Sequence, residues 1–152
     1  MTSRPRLWGV LPAAGVGRRM GGDTPKQYLP LHGRPVLAHA VARLARHPDL
    51  AAIVVAIAAD DPYWPGLDLE CPVPVETATG GAERVHSVVN ALRHLEGRAD
   101  PDDWVLVHDA ARPCLPAADL QRLVAAVVGH PAGGLLAQRM SETDKRAATG
   151  SG

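Results

Sequence analysis

A chain of 152 residues is long enough for one compact domain, and with 16 Lys+Arg against 16 Asp+Glu it has no net charge to draw in nucleic acid or an anionic membrane. Aromatic residues make up 3% and Phe is absent, so no platform for stacked bases exists and the core must be built from Val, Leu, Ile and Ala. Cys71 and Cys114 stand in no ligand-like spacing, which argues against both a disulfide framework and a zinc site.

The charge is unevenly placed. Arg4, Arg6, Arg18, Arg19 and Lys26 face only Asp23 in the first thirty residues, whereas six carboxylates and no Lys or Arg lie between Asp60 and Glu83. A basic front end suits an anionic ligand. The N-terminus is too short in apolar residues for a signal segment, and no stretch approaches the ~18 of a membrane span. The expectation is a cytoplasmic protein with small-molecule or protein partners.

In chain order, Leu7 to Leu11 is apolar without alternation, as in a strand covered on both faces. A loop rich in glycine and charge runs from Pro12 to about Pro25. Pro35 opens a helix to about Arg46, with Val36, Leu37, Ala40, Val41 and Leu44 at helical spacing. Ala52 to Ile57 is a second buried strand, and Val73 to Glu76 a weaker third. Glu83 to Leu95 reads as a helix with Val85, Val88, Val89, Leu92 and Leu95 on its core face. Trp104 to Val107 is a strand that delivers His108 and Asp109 to its carboxyl end. Pro116 opens a further helix with Leu120, Leu123, Val124, Val127 and Val128 as its stripe. Gly133 to Ala137 reads as the start of another strand. From Gln138 the only large apolar residue is Met140, so residues 138–152 are expected as a disordered tail behind a domain of residues 1–137.

Repeated strand–helix–strand order predicts an α/β fold, a mainly parallel sheet with helices on both faces. Ligands of such sheets bind outside the carboxyl ends of the strands. Three segments fall there.

The first is Pro12-Ala13-Ala14-Gly15-Val16-Gly17-Arg18-Arg19, with Lys26 behind it. Small residues after a buried strand let the backbone turn its N–H groups toward phosphate, and the cations can neutralise it. A dinucleotide fingerprint from Gly15 fails at Met20, and a P-loop from Gly17 fails at Asp23. A tight turn with solvated arginines is the competing reading, and Lys26 tips the balance toward phosphate.

The second segment, Gly80 to Ser87, is a glycine hinge entering a helix. It suits either base recognition, with Ser87 adding a hydroxyl, or a plain helix start with a solvated Glu83–Arg84 pair. In the third, Val107 to Pro113, a carboxylate at a strand end is placed to hold Mg²⁺ on a triphosphate, with Arg112 pairing a phosphate or bracing the loop. An Asp109 that caps the turn under Arg112 is the alternative. His108 has no second His or Cys at metal-binding spacing and reads as a loop histidine.

Taken together and in order, Pro12-Ala13-Ala14-Gly15 with Gly17, Arg19 and Met20, then Pro25-Lys26-Gln27-Tyr28-Leu29, Gly80-Gly81 with Glu83, Arg84, Ser87 and Val88, and Val107-His108-Asp109-Ala110-Ala111-Arg112-Pro113 resemble the cytidylyltransferases of the methylerythritol phosphate route to isoprenoids. The resemblance runs from Leu7 to about Ala137. It implies a Rossmann-like nucleotidyltransferase fold, incomplete at the C-terminus because the family's dimerisation arm and final acidic segment have no counterpart here. It also implies transfer of CMP from CTP to 2-C-methyl-D-erythritol 4-phosphate.

By the same resemblance Pro12, Ala13, Ala14, Gly15 and Gly17 would wrap the triphosphate. Ala13, Ala14, Gly81, Ala82 and Ser87 would surround the cytosine, Ala110 would lie by the ribose, and Arg112 would join the nucleotide site. Asp109 would bind Mg²⁺, and Arg19 and Lys26 would stabilise charge at the α-phosphate. The family's homodimer is not expected where its arm is missing. Two other readings stay open: a CTP-binding remnant without catalysis, and a nucleotidyltransferase of the same fold with another base or acceptor.

Overall fold

The computed structural model describes residues 5–15 and 23–137. Strand β1 (Leu7–Pro12) is followed by a single 3-10 turn at Lys26–Tyr28, a two-residue hairpin of β2 (Pro30–Leu31) and β3 (Arg34–Pro35), and helix α1 (Val36–Leu44). Then come β4 (Leu50–Ile57), β5 (Val75–Thr79), helix α2 (Arg84–His94), β6 (Trp104–Val107) and helix α3 (Ala117–Val127). Pro35 and Pro116 stand at the N-caps of α1 and α3, where the missing N–H costs nothing.

The main sheet is wholly parallel, in the order β5-β4-β1-β6. From β1 the chain steps outward to β4 and β5, then returns through α2 to place β6 on the other flank of β1. The order of winding therefore reverses between β1 and β6, and in open α/β sheets such a switch point leaves a crevice at the carboxyl ends. Helices cover both faces, as the alternation of elements predicts. Leu7, Leu11, Ile53 and Val55 pack with α1 and α3, while Trp8, Val10, Ala52, Val54 and Ala56 pack with Ala91 and Leu95 at α2. Alternate residues of β1 and β4 serve opposite layers, which explains why both strands are continuously apolar. Gly9 lets the layers close up, since a Cβ there would lie 3.1 Å from Cγ1 of Ile53.

Four expectations need correction. The weak third strand is Val75–Thr79, not Val73 to Glu76, because Pro74 has no N–H to donate and pairing with β4 begins at Val75 opposite Ile53. The apolar stripe of α2 meets the core only in part: Leu95, at the C-cap, is buried. Val85, Val89 and Leu92 are exposed, while Ser87 and Ala91 are buried and Val88 is half-buried. Residues 133–137 form no strand, and Val128 at the end of the α3 stripe is exposed. The proposed tail of residues 138–152 lies outside the described residues.

Candidate functional site

A cleft of about 660 Å³ opens at the carboxyl ends of β1 and β6. Pro12, Ala13, Ala14, Gly15 and Lys26 line one wall, Gly81, Ala82 and Ser87 a second, and Asp109, Ala110 and Arg112 a third. Every site residue expected from the sequence and described in the structure is therefore found on this one cavity. Gly17 and Arg19 lie outside the described residues.

Each wall has a local cause. At the end of β1, Ala13 N–H donates to the carbonyl of Ala56 at 2.7 Å, carrying the sheet's pairing one step past the strand. The carbonyls of Ala13 and Gly15 then accept from Nε2 of Gln27, at 2.7 and 3.0 Å. Gln27 is buried and acts as a clasp between the glycine loop and the Lys26–Tyr28 turn. Tyr28 is buried beside it, stacks on Tyr63 with ring centroids 4.9 Å apart, and donates its hydroxyl to Asp61 at 2.7 Å. Burial, reinforced by the Asp61 carboxylate, pushes the Tyr28 phenol well above its ordinary range, so it stays a neutral donor. With Gln27 and Tyr28 pinned, the exposed Lys26 is held at the cleft rim, and it forms no ion pair with a described residue.

The second wall requires its glycines. A Cβ at Gly80 would come within 2.2 Å of Cβ of Ala14, and one at Gly81 within 2.2 Å of Cβ of His86. The first loop and the mouth of α2 thus touch at a point where only hydrogen fits. The hydroxyl of Ser87 accepts from Gly81 N–H at 3.1 Å and lies 3.4 Å from the Glu83 carbonyl, so it ties the α2 entrance together.

On the third wall Asp109 is gripped from both sides. Arg84 Nε donates to Oδ1 at 3.0 Å, and Arg112 Nε pairs with Oδ2 at 2.9 Å. The Glu83–Arg84 pair suggested by their adjacency is not what forms. The Arg84 guanidinium reaches 25 residues along the chain, because the α2 entrance faces the end of β6 across the cleft. His108 sits within bonding distance of the Arg112 carbonyl, 2.8 Å from its Nε2, and so closes the loop, as expected of a structural histidine.

Sequence reasoning missed Gln27 and Arg84 as site residues. Neither carries a local signal, since their partners lie 12 to 25 residues away. The donor set has a definite chemistry: Lys26, Arg84 and Arg112 against Glu83 and Asp109, with the Pro12–Gly15 backbone along one wall. It suits a polyanion. Among the described residues no group of three or more His, Cys, Asp and Glu converges, so a hard cation held by Asp109 would take most of its ligands from phosphate and water.

A parallel α/β sheet with such a cleft at its switch point is an architecture of nucleotide-binding proteins. A profile of the 2-C-methyl-D-erythritol 4-phosphate cytidylyltransferases matches residues 7–151, and the chain belongs to that family. The protein of that name from Pseudomonas aeruginosa is 54% identical over 143 residues, covering 93% of this chain and 61% of the relative. That from Pseudomonas fluorescens strain Pf0-1 is 51% identical over 145 residues, covering 95% and 62%. Among solved structures, a 4-diphosphocytidyl-2C-methyl-D-erythritol synthase superposes with a TM-score of 0.80 at 32% identity, covering 98% of this chain and 66% of the other. The Francisella tularensis cytidylyltransferase gives 0.72 at 34%, covering 95% and 62%. The chain spans about 62% of the length of the curated relatives it matches. No helix among the described residues is long and apolar enough to cross a membrane.

Proposed function

We propose that the cleft binds CTP and that the protein transfers CMP to 2-C-methyl-D-erythritol 4-phosphate, releasing pyrophosphate. The observation that carries this is the convergence of the β1 loop, the α2 entrance and the β6 end, with Lys26 and Asp109 on one cavity. The reaction forms a bond between an oxygen of the acceptor phosphate and the α-phosphorus of CTP, and breaks the bond to the departing pyrophosphate. Little covalent help is needed; alignment and positive charge at the reacting centre are.

In this reading the loop from Pro12 to Gly15, continued by Gly17, wraps the triphosphate. Ala13, Ala14, Gly81, Ala82 and Ser87 border the base, and Ala110 borders the ribose. Arg112 pairs with phosphate. Lys26, with Arg19, bears on the α-phosphate. Asp109 is the residue that would hold Mg²⁺: it offers a hard carboxylate, about one-third exposed, in the cleft. Bound there with phosphate and water, the ion would neutralise triphosphate charge. Two free cysteines suit a reducing, cytoplasmic setting.

Calorimetric titration with CTP, UTP and GTP beside an assay of pyrophosphate release tests the reading. CTP should bind most tightly, and equal heats from the three nucleotides would sink the base assignment. Because the chain matches 62% of its relatives' length, binding and transfer are separate outcomes, and heat without product would favour a CTP-binding protein without catalysis. Lys26→Ala should lower turnover on the order of a hundredfold, about 3 kcal/mol, with the fold intact. Undiminished turnover in that variant would remove Lys26 from the chemistry.

A further inference from the structure

The Asp109 carboxylate is engaged before any nucleotide arrives. Arg84 takes one oxygen and Arg112 the other, each through Nε alone. Among the described residues, neither guanidinium gives its two terminal nitrogens to a partner. Arg84 stands at the first turn of α2 with 59% of its side chain exposed, so it can swing without disturbing the helix, whereas Asp109 is fixed in the loop after β6. Glu83, the neighbouring carboxylate on the cleft, takes no contact from Arg84 in this arrangement.

We propose that Arg84 is a positioning residue of the nucleotide site, which occupies Asp109 against a bare divalent cation and gives it up when a polyphosphate draws its guanidinium away. The inference rests on the CTP reading only for the identity of the polyphosphate. A dication approaching Oδ1 meets a guanidinium already there, and two positive groups on one oxygen repel at short range. A triphosphate changes the balance, because the free edge of the guanidinium matches two phosphate oxygens. The carboxylate is then released as the phosphates arrive. Metal and nucleotide bind as a unit, and by linkage each raises the affinity of the other by the same factor.

The test is Mn²⁺ binding to the full chain by electron paramagnetic resonance, without nucleotide and then with CTP. Arg84→Gln should bind Mn²⁺ alone about tenfold more tightly than the unaltered protein, as expected when a competing cation is removed. Arg84→Lys, which keeps the charge, should stay weak. The rise in Mn²⁺ affinity on adding CTP should be smaller in Arg84→Gln than in the unaltered chain. Equal Mn²⁺ affinity in the unaltered and Gln forms, with thermal unfolding unchanged, would overturn the role of Arg84, as would no binding in either. Failure of CTP to bind the unaltered protein would instead sink the nucleotide reading, while the nucleotide-free comparison still decides the role of Arg84.

Discussion

Helices α1 and α2 have similar apolar periodicity and meet opposite fates. In α1 the stripe Leu37, Ala40, Val41 and Leu44 is fully buried against the sheet. In α2 Val85, Val89 and Leu92 of the stripe face out, and the helix rests on Ser87, Ala91, the half-buried Val88 and the buried Leu95 at its C-cap. The difference lies in what orients each helix. Side chains in the core orient α1. Polar ties hold α2: Arg84 to Asp109, Ser87 to Gly81, Asn90 Nδ2 to the Thr79 carbonyl at 2.9 Å, and His94 to Glu76 at 2.8 Å. The sheet surface beneath it mixes the small side chains of Ala52, Ala56 and Ala78 with Trp8, Val10 and Val54. The cleft dictates the rotation of α2, and its apolar stripe yields.

The largest effect should come from the α1 side. Leu44 is 1% exposed and packed in the main core, so Leu44→Ala should cost about 2–5 kcal/mol in chemical denaturation. A loss below 1 kcal/mol would mean that α1 is not held by packing. Next comes the mouth of α2. Gly80→Ala sets a methyl group within 2.2 Å of Cβ of Ala14, and separating the two loops should cost about 1–3 kcal/mol and weaken nucleotide binding together. Unchanged binding in Gly80→Ala would show that this contact does not shape the cleft.

These residues also show how far sequence carries. Strands β1, β4 and β6 were readable because continuous apolar runs leave few options, and the order of elements limited the sheet to a parallel one with helices on both sides. The cleft was readable because small residues and cations gathered after strands, where a parallel sheet has its opening. The rotation of α2 was not, because periodicity defines a face without saying which way it turns. Ser87 and Ala91 outweigh three larger residues only through partners far along the chain. Gln27 was hidden for the same reason: a buried amide is recognisable by the carbonyls it holds, and those belong to another segment.

A smaller effect tests the far end of α2 through pH. Hydrogen bonds from Arg98, then from His94, hold the Glu76 carboxyl down from 4.5 to about 2. A depressed carboxyl adds stability above its unfolded value and loses it as pH falls through the folded one. Stability should therefore drop between about pH 4.5 and 2, by on the order of 1 kcal/mol after allowance for solvent screening. Glu76→Gln should flatten that part of the stability–pH curve. An unaltered curve in the variant would mean that the tie contributes nothing to seating α2.

The smallest effect is the most exacting for the contrast between the helices. Leu92 is 40% exposed, and it stands one turn or two from Val89 and Val85 on the outer side of α2. If the polar ties alone set the rotation of this helix, Leu92→Ser removes little buried apolar surface and should change stability by no more than about 0.5 kcal/mol. The same substitution at Leu44 would fall in the range of a core defect. Equilibrium unfolding of Leu92→Ser at two protein concentrations decides the matter. A loss above about 2 kcal/mol independent of concentration would place Leu92 in a core and make the two helices alike. A loss that grows with concentration would mean that the outer face is covered by a second copy, and that α2, like α1, is seated by packing on both sides.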